Sequence, residues 1–229
     1  PEGPAFGDPG TGPGRIDWGI LISASAEGAG DPAHLAGVRA DASTQWDRYD
    51  RSDPPALPGR SLSLRFPRGD WPVHGGDYAT DIRGGPELGD EETVPGALRQ
   101  TDWGWSWDLE LSLNARPDDI RGGQISEGAQ DAVLELRLVG ALPSGARACL
   151  VDRVLQQSIF IRETAEYRFS LPPSESRRAE SVSRFALLVG DEAFLGRTLS
   201  LLGGTPSHAK LWPASPNPAS ASILIRYDL

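Results

Sequence analysis

Apolar and polar residues alternate along much of this chain, which is the pattern of β-strands that bury one face. The strongest alternation spans residues 101–115. Six large apolar residues there share one parity: Trp103, Trp105, Trp107, Leu109, Leu111 and Leu113. Shorter alternations recur at residues 16–26, 60–66, 78–83, 131–140, 147–153, 158–162, 164–171 and 182–190. Only residues 33–38 and 193–202 suggest helices, and each helix would be short.

Turn-forming residues separate these segments, and the chain of 229 residues contains 27 glycines and 20 prolines. Eight or nine short strands at this spacing predict an all-β fold. We expect an antiparallel β-sandwich of the immunoglobulin or jelly-roll type, with long loops, over residues 15–205. The Gly/Pro-rich residues 1–14 are expected to form an extended arm. Residues 206–229 would form a linker and one further strand.

Charge and cysteine content exclude several classes of function. The formal net charge is −10, which repels phosphate backbones, so we expect no nucleic-acid partner. No apolar run approaches the roughly 20 residues of a membrane-spanning helix. The single cysteine, Cys149, excludes an intramolecular disulfide and a cysteine-based metal cluster. Because Cys149 lies in an apolar run, we expect a buried structural thiol rather than a nucleophile.

Four carboxylates lie close together in a polar segment, residues 39–53, which we call the acidic loop. They are Asp41, Asp47, Asp50 and Asp53. Carboxylate oxygens are the ligands that Ca²⁺ prefers, so the four residues could bind calcium, although their spacing is not that of an EF-hand. Alternatively, they cap turns and pair with the interleaved arginines. We favour the second interpretation and expect no other cofactor.

The tryptophans allow two interpretations. Because Trp103, Trp105 and Trp107 share one face of a strand, they could form a platform for stacking sugar rings. They could equally continue the leucine face of the same strand into the core, and the shared parity favours this second interpretation. Trp46 and Tyr49 flank the carboxylates of the acidic loop and are further candidates for contact with a ligand or partner.

The C-terminus contains Pro216-Asn217-Pro218, then small residues, then the alternating segment Ile223-Leu224-Ile225-Arg226-Tyr227-Asp228-Leu229. This pattern resembles the first strand of the immunoglobulin-like modules that end many secreted bacterial proteins. These include the type IX secretion sorting domain and its hook-capping-like relatives. A lone strand is stable only when it pairs with a sheet edge. We therefore expect Ile223, Ile225 and Tyr227 to pair within this domain or on a partner.

A second stretch, residues 37–81, is similar to a β-sandwich module often found just upstream of those sorting domains. It reads Asp47-Arg48-Tyr49-Asp50, then Asp53-Pro54-Pro55-Ala56-Leu57-Pro58, then a strand ending in Phe66-Pro67, then Asp70-Trp71 and Asp81-Ile82-Arg83. The resemblance implies an accessory domain without catalytic activity. It also implies a location outside the cell, on the cell surface or in the periplasm.

Three functions follow as hypotheses. The leading one is a non-enzymatic accessory module that docks on a protein partner or stabilises a larger assembly. The alternative is a carbohydrate-binding module that uses tryptophans and a stabilising calcium. A hydrolase is the third and least favoured, because no nucleophile motif is present.

Overall fold

The computed structural model describes residues 16–26, 28–55, 61–88, 102–114, 130–171 and 183–202. Within these residues, twelve strands are followed by one helix, α1 (Glu192–Leu201). The strands are β1 (Trp18–Ala26), β2 (Ala29–Val38), β3 (Arg51–Ser52), β4 (Ser61–Arg68), β5 (Gly76–Arg83), β6 (Glu87–Leu88), β7 (Trp103–Asn114), β8 (Gln130–Gly140), β9 (Arg147–Asp152), β10 (Gln157–Ile161), β11 (Thr164–Leu171) and β12 (Phe185–Gly190).

The strands form one large mixed sheet with the order β10-β9-β12-β7-β4-β5-β2-β1-β8-β11. β3 pairs with β5, and β6 pairs with β7. All pairings are antiparallel except that of β2 with β5. The sheet curls until its end strands, β10 and β11, contact each other, so it is nearly barrel-shaped. The all-β prediction is confirmed, whereas the two-sheet antiparallel sandwich is not.

One apolar core fills the inside of the curled sheet and receives buried side chains from all ten strands of that order. The predicted alternation holds: in β7, Trp105, Trp107 and Leu109 are buried, and the Asp108 between them is exposed. Trp18 from β1 meets Trp105 and Trp107 edge to face, at centroid distances of 5.0 and 6.1 Å. These contacts fasten β1 to β7 across the core.

The helix expected at residues 33–38 is wrong, because this segment belongs to β2. The alanines there suggest a helix, but pairing with β1 on one side and β5 on the other overrides that local preference. Two residues of β2, Pro32 and Ala33, lie opposite the single residue Ser23 of β1. This extra residue makes a β-bulge in β2. Ala33 has a φ of 62°, an uncommon value outside glycine.

The helix predicted at residues 193–202 is confirmed as α1. Asp191 caps its N-terminus by accepting the Phe194 amide at 2.7 Å. The helix covers the outer face of β9 and β12, where it forms a second apolar cluster with Cys149. Cys149 is fully buried, as predicted for a structural thiol, and burial raises the pKa of that thiol to about 11.

Several predicted segments lie outside the described residues. They are the arm at residues 1–14 and the C-terminal strand with Ile223, Ile225 and Tyr227. The domain boundaries proposed around them therefore stay predictions. Among the helices within the described ranges, none is long and apolar enough to cross a bilayer.

The packing of α1 gives a stability test. Gly190 of β12 lies under Phe194, and a methyl group there would meet Phe194 Cδ1 and the Trp103 carbonyl oxygen, both at 2.6 Å. Gly190→Ala should therefore destabilise the fold by about 1–3 kcal/mol through overpacking. Gly196→Ala on the open side of α1 is the matched control and should stabilise by about 0.5–1 kcal/mol. Urea denaturation measures both, and equal stability of the two variants would contradict this packing.

Candidate functional site

The acidic loop lies across one end of the curled sheet, against the end of β5. The Arg39 amide donates to the Arg83 carbonyl at 3.0 Å, and the Gly84 amide donates to the Ser43 carbonyl at 3.3 Å. A side chain at Gly84 would collide with the carbonyl oxygen of Ala42. Glycine at this position therefore allows the close approach of loop and strand.

Asp50 makes the central side-chain attachment of the loop. Its Oδ1 accepts the Ile82 amide of β5 at 2.9 Å, and its Oδ2 accepts the Asp47 amide at 2.8 Å. Because β3 pairs with β5 only at Tyr78 and Thr80, the carboxylate takes the place of a strand at Ile82. Burial raises the pKa of the Asp50 carboxyl to about 6, against the opposing effect of its two hydrogen bonds.

Asp47 and Asp41 shape the rest of the loop. Asp47 caps two turns, since its Oδ2 accepts the Ser43 amide at 2.6 Å and its Oδ1 accepts the Tyr49 amide at 2.8 Å. Asp41 pairs with Arg39 and accepts the Tyr49 hydroxyl at 2.7 Å. These two partners lower the pKa of Asp41 to about 2. Asp47 therefore caps turns and Asp41 forms an ion pair, as expected for these carboxylates.

Asp53 faces a different cluster, between β2 and β4. His34 Nε2 lies 3.5 Å from Asp53 Oδ1, and the Ser63 hydroxyl donates to Asp53 Oδ2 at 3.4 Å. On β2, Asp31 accepts the Leu64 amide at 2.6 Å, and burial raises the pKa of its carboxyl. No ladder joins β2 and β4 along their described lengths, so these side chains bridge the gap.

The four loop carboxylates are therefore engaged in separate interactions. Asp50 bonds to β5, Asp53 lies near His34, and Asp41 and Asp47 bond within the loop. In the part of the chain that the structure describes, no three His, Cys, Asp or Glu side chains are grouped to hold a metal ion. Calcium binding stays a prediction that this geometry does not favour.

Two arginines, the buried Arg83 and the partly buried Arg68, lie beneath the loop and share the carboxylate of Asp81. Arg83 binds it through Nε and Nη2, each at 3.1 Å, and donates through Nη1 to the Ser106 carbonyl. Arg68 Nη1 lies 3.6 Å from Asp81 Oδ2, and its Nη2 lies 3.1 Å from Asp70. Arg68 Nε is buried and has no hydrogen-bond partner among the residues that the structure describes. Burial lowers the pKa of Arg68.

Neither arginine was among the predicted site residues. A signal was present in β5, where Asp81 and Arg83 are two residues apart. Residues at that spacing share one face of a strand. The spacing predicts an ion pair, and the structure adds that both side chains are almost fully buried.

A pocket of about 320 Å³ opens beside this pair. It is lined by Thr44, Gln45, Arg68, Asp70, Arg83, Gly85 and Trp105. Its walls come from the acidic loop, from β4 and the turn that follows it, and from the ends of β5 and β7. The volume lies at the lower end of the ~300–1,000 Å³ typical of small-molecule sites. We treat this pocket as the candidate functional site.

The predicted tryptophans divide between the core and the surface. Trp105 and Trp107 are buried, which confirms their assignment to the core, and Trp103 is partly buried against it. Trp105 also donates its indole N–H to the Gly84 carbonyl at 3.0 Å and lines the pocket. A flat three-residue platform is not formed, because stacking needs exposed ring faces. Trp46 is 41% exposed and stacks on His74 with centroids 3.9 Å apart.

A larger groove of about 590 Å³ lies on the outer face of the sheet beside the β2 bulge. Its charged side chains, Glu135, Arg137 and Glu166, are exposed. Exposed charges of this kind are ordinary for a solvated surface. The smaller pocket is the better candidate because it places buried charged groups beside an aromatic ring.

The comparisons with known proteins do not assign the chain to a family. No protein-family model matches it, and no curated protein and no solved structure is similar to it. The resemblance to the secreted bacterial modules therefore stays a prediction.

The attachment of Asp50 predicts a distinctive pH dependence. Its pKa is about 6 in the folded protein and about 3.9 when unfolded, so the folded state binds the proton more tightly. This contribution to stability is complete below about pH 4 and is lost as pH rises to about 6. Asp50→Asn should remove this loss, so the stability of the variant relative to wild type should increase over that range.

Chemical denaturation at several pH values measures the difference. Asp50→Ala should lower stability at pH 7 by about 2–4 kcal/mol, because it leaves two amides without their acceptor. Glu135→Gln, at an exposed carboxylate of β8, is the control. A difference between wild type and Asp50→Asn that stays constant from pH 4 to 7 would contradict the raised pKa.

Proposed function

We propose that this protein is a non-catalytic accessory module that docks on a protein partner by accepting a partner strand at β10. The observation that carries the proposal is the incomplete closure of the sheet. β10 and β11 are the two end strands, and the chain links them through residues 162–163 alone. They contact each other, but no ladder joins them within the described residues.

The outer edge of β10 has the properties of a docking edge. Natural edge strands are commonly protected by Lys, Pro or a bulge, which discourage pairing with other chains. β10 has the sequence Gln-Ser-Ile-Phe-Ile and pairs with β9 without a bulge. Phe160 is 46% exposed, and Val154 and Leu155 in the preceding turn are exposed too. An added strand would form hydrogen bonds with the backbone N–H and C=O groups of this edge and cover these apolar side chains.

Charge specifies the kind of strand that fits. The Arg147 guanidinium lies 4.0 Å from the centroid of the Phe160 ring, and Arg162 directly follows β10. Both arginines are exposed, and neither forms an ion pair with the described residues. Glu163 lies beside Arg162 and is exposed too, so this edge carries two positive charges and one negative charge, in a chain of net charge −10. A partner segment with alternating apolar and acidic side chains fits it best.

The resemblance of residues 37–81 to an accessory module of secreted bacterial proteins supports the same function. It also favours a location outside the cell, on its surface or in the periplasm. In that setting the strand predicted from the sequence at Ile223, Ile225 and Tyr227 is a second candidate occupant of the edge, from the same chain or from a second copy.

Docking is tested with the full chain expressed in its source. The wild type should be recovered in a stoichiometric complex, measured by native mass spectrometry. Phe160→Lys places a charge on the β10 edge and should release the chain as a monomer. Val73→Lys, at another exposed apolar residue, should leave the complex intact.

Two results would contradict the proposal. One is a wild-type chain that is monomeric at its natural abundance. The other is a complex that survives Phe160→Lys as well as it survives Val73→Lys. If the complex contains only copies of this chain and is lost when residues 220–229 are removed, the C-terminal strand is the occupant, and a separate partner is excluded.

A further inference from the structure

We infer that the pocket between the acidic loop and the Arg68–Arg83 pair binds a neutral saccharide of about one or two rings. This site is distinct from the β10 edge and goes beyond the docking proposed above. The two surfaces share no residue.

The pocket combines hydrogen-bond donors with acceptors. The guanidinium groups of Arg68 and Arg83 and the amide of Gln45 donate, whereas the carboxylate of Asp70 accepts. The Thr44 hydroxyl does both. A sugar hydroxyl also donates and accepts, so each one can bridge a basic and an acidic group of this kind.

The charge balance favours a neutral ligand over an anion. Arg68 and Arg83 contribute two positive charges, and both contact Asp81, which is buried behind the pocket. Asp70 adds a second negative charge at 3.1 Å from Arg68. Asp50 is a third carboxylate that acts electrostatically on Arg68. The two arginines are thus more than matched by carboxylates, and the net charge of −10 further opposes the approach of an anion.

Aromatic groups supply the apolar contact that sugar rings need. Trp105 lines the pocket, and Trp46 directly follows Gln45 at its wall. Trp46 stacks on His74 and remains half-exposed, so it is available to a ligand that extends out of the pocket. Trp105 is almost fully buried, so the exposed part of the Trp46 ring is the surface that packs against the C–H groups of a pyranose, while the polar groups of the pocket bind its hydroxyls.

The wall also contains a position at which the pocket can be filled without disturbing the fold. Among the described residues, no atom lies within 4 Å of a Cβ placed at Gly85. Gly85→Leu should therefore occupy the pocket while leaving its surroundings in place. Gly196 on α1 is equally open and lies on a different element, so Gly196→Leu is a matched control.

The experiment follows intrinsic tryptophan fluorescence of the full chain during titration with five neutral disaccharides: maltose, cellobiose, lactose, mannobiose and xylobiose. At least one should give a saturable change at millimolar concentrations. Gly85→Leu should weaken that binding at least tenfold, and Gly196→Leu should not change it. Asp70→Ala, which removes one exposed acceptor, should weaken binding about tenfold. Circular dichroism checks that each variant is folded.

Three outcomes would overturn the inference. The first is the absence of a saturable change with all five sugars. The second is binding that Gly85→Leu and Asp70→Ala leave unchanged, because the ligand would then lie elsewhere. The third is tighter binding of glucuronate or inorganic phosphate than of any neutral sugar. None of these outcomes depends on whether Phe160→Lys releases the chain from a protein partner.

Discussion

The hydrogen bond from the Ile82 amide to the Asp50 carboxylate connects the two halves of the candidate site. It attaches the acidic loop to β5 at a point where β3 no longer pairs with that strand. The second oxygen of Asp50 fixes the loop internally through the Asp47 amide. Thr44 and Gln45, in the wall of the pocket, lie between the contact at Ser43 and the turn fixed by Asp47. The shape of the pocket therefore depends on Asp50.

Carboxylates replace missing strand contacts elsewhere as well. Asp31 accepts the Leu64 amide where β2 and β4 approach each other. Asp152 accepts the Val154 and Leu155 amides in the turn before β10 and also binds Arg184. A sheet that curls around one core has irregular neighbours at these points, and buried amides there need an acceptor. The abundance of aspartate in this acidic chain has a structural use at each of them.

Much of the fold follows from the sequence. The period-two alternation identified β1, β4, β5, β7 and the strands from β8 to β12, and the short helix α1 was predicted as well. The pattern did not predict β2, because alanines and Pro32 obscure the alternation there. Pairing with β1 and β5 stabilises this strand. The parallel pairing of β2 with β5 and the curling into one sheet depend on distant contacts, which a local pattern does not contain. This is why a sandwich was expected.

The candidate site was predictable only in part. The acidic loop was recognised, and the roles of its carboxylates in turn capping and ion pairing follow from the capping tendency of aspartate and from the interleaved arginines. Arg68 and Arg83 come from two different strands, and only the fold brings them to one carboxylate. Trp105 was assigned to the core by parity, yet it also lines the pocket because one end of β7 lies beside the loop.

The most direct test of the account is amide hydrogen exchange at Ile82 and Asp47, measured by NMR in the wild type and in Asp50→Ala. The account predicts slow exchange of both amides in the wild type and much faster exchange in the variant, with the core amides of β12 unchanged. Fast exchange of the Ile82 amide in the wild type, or equal rates in the two proteins, would contradict it.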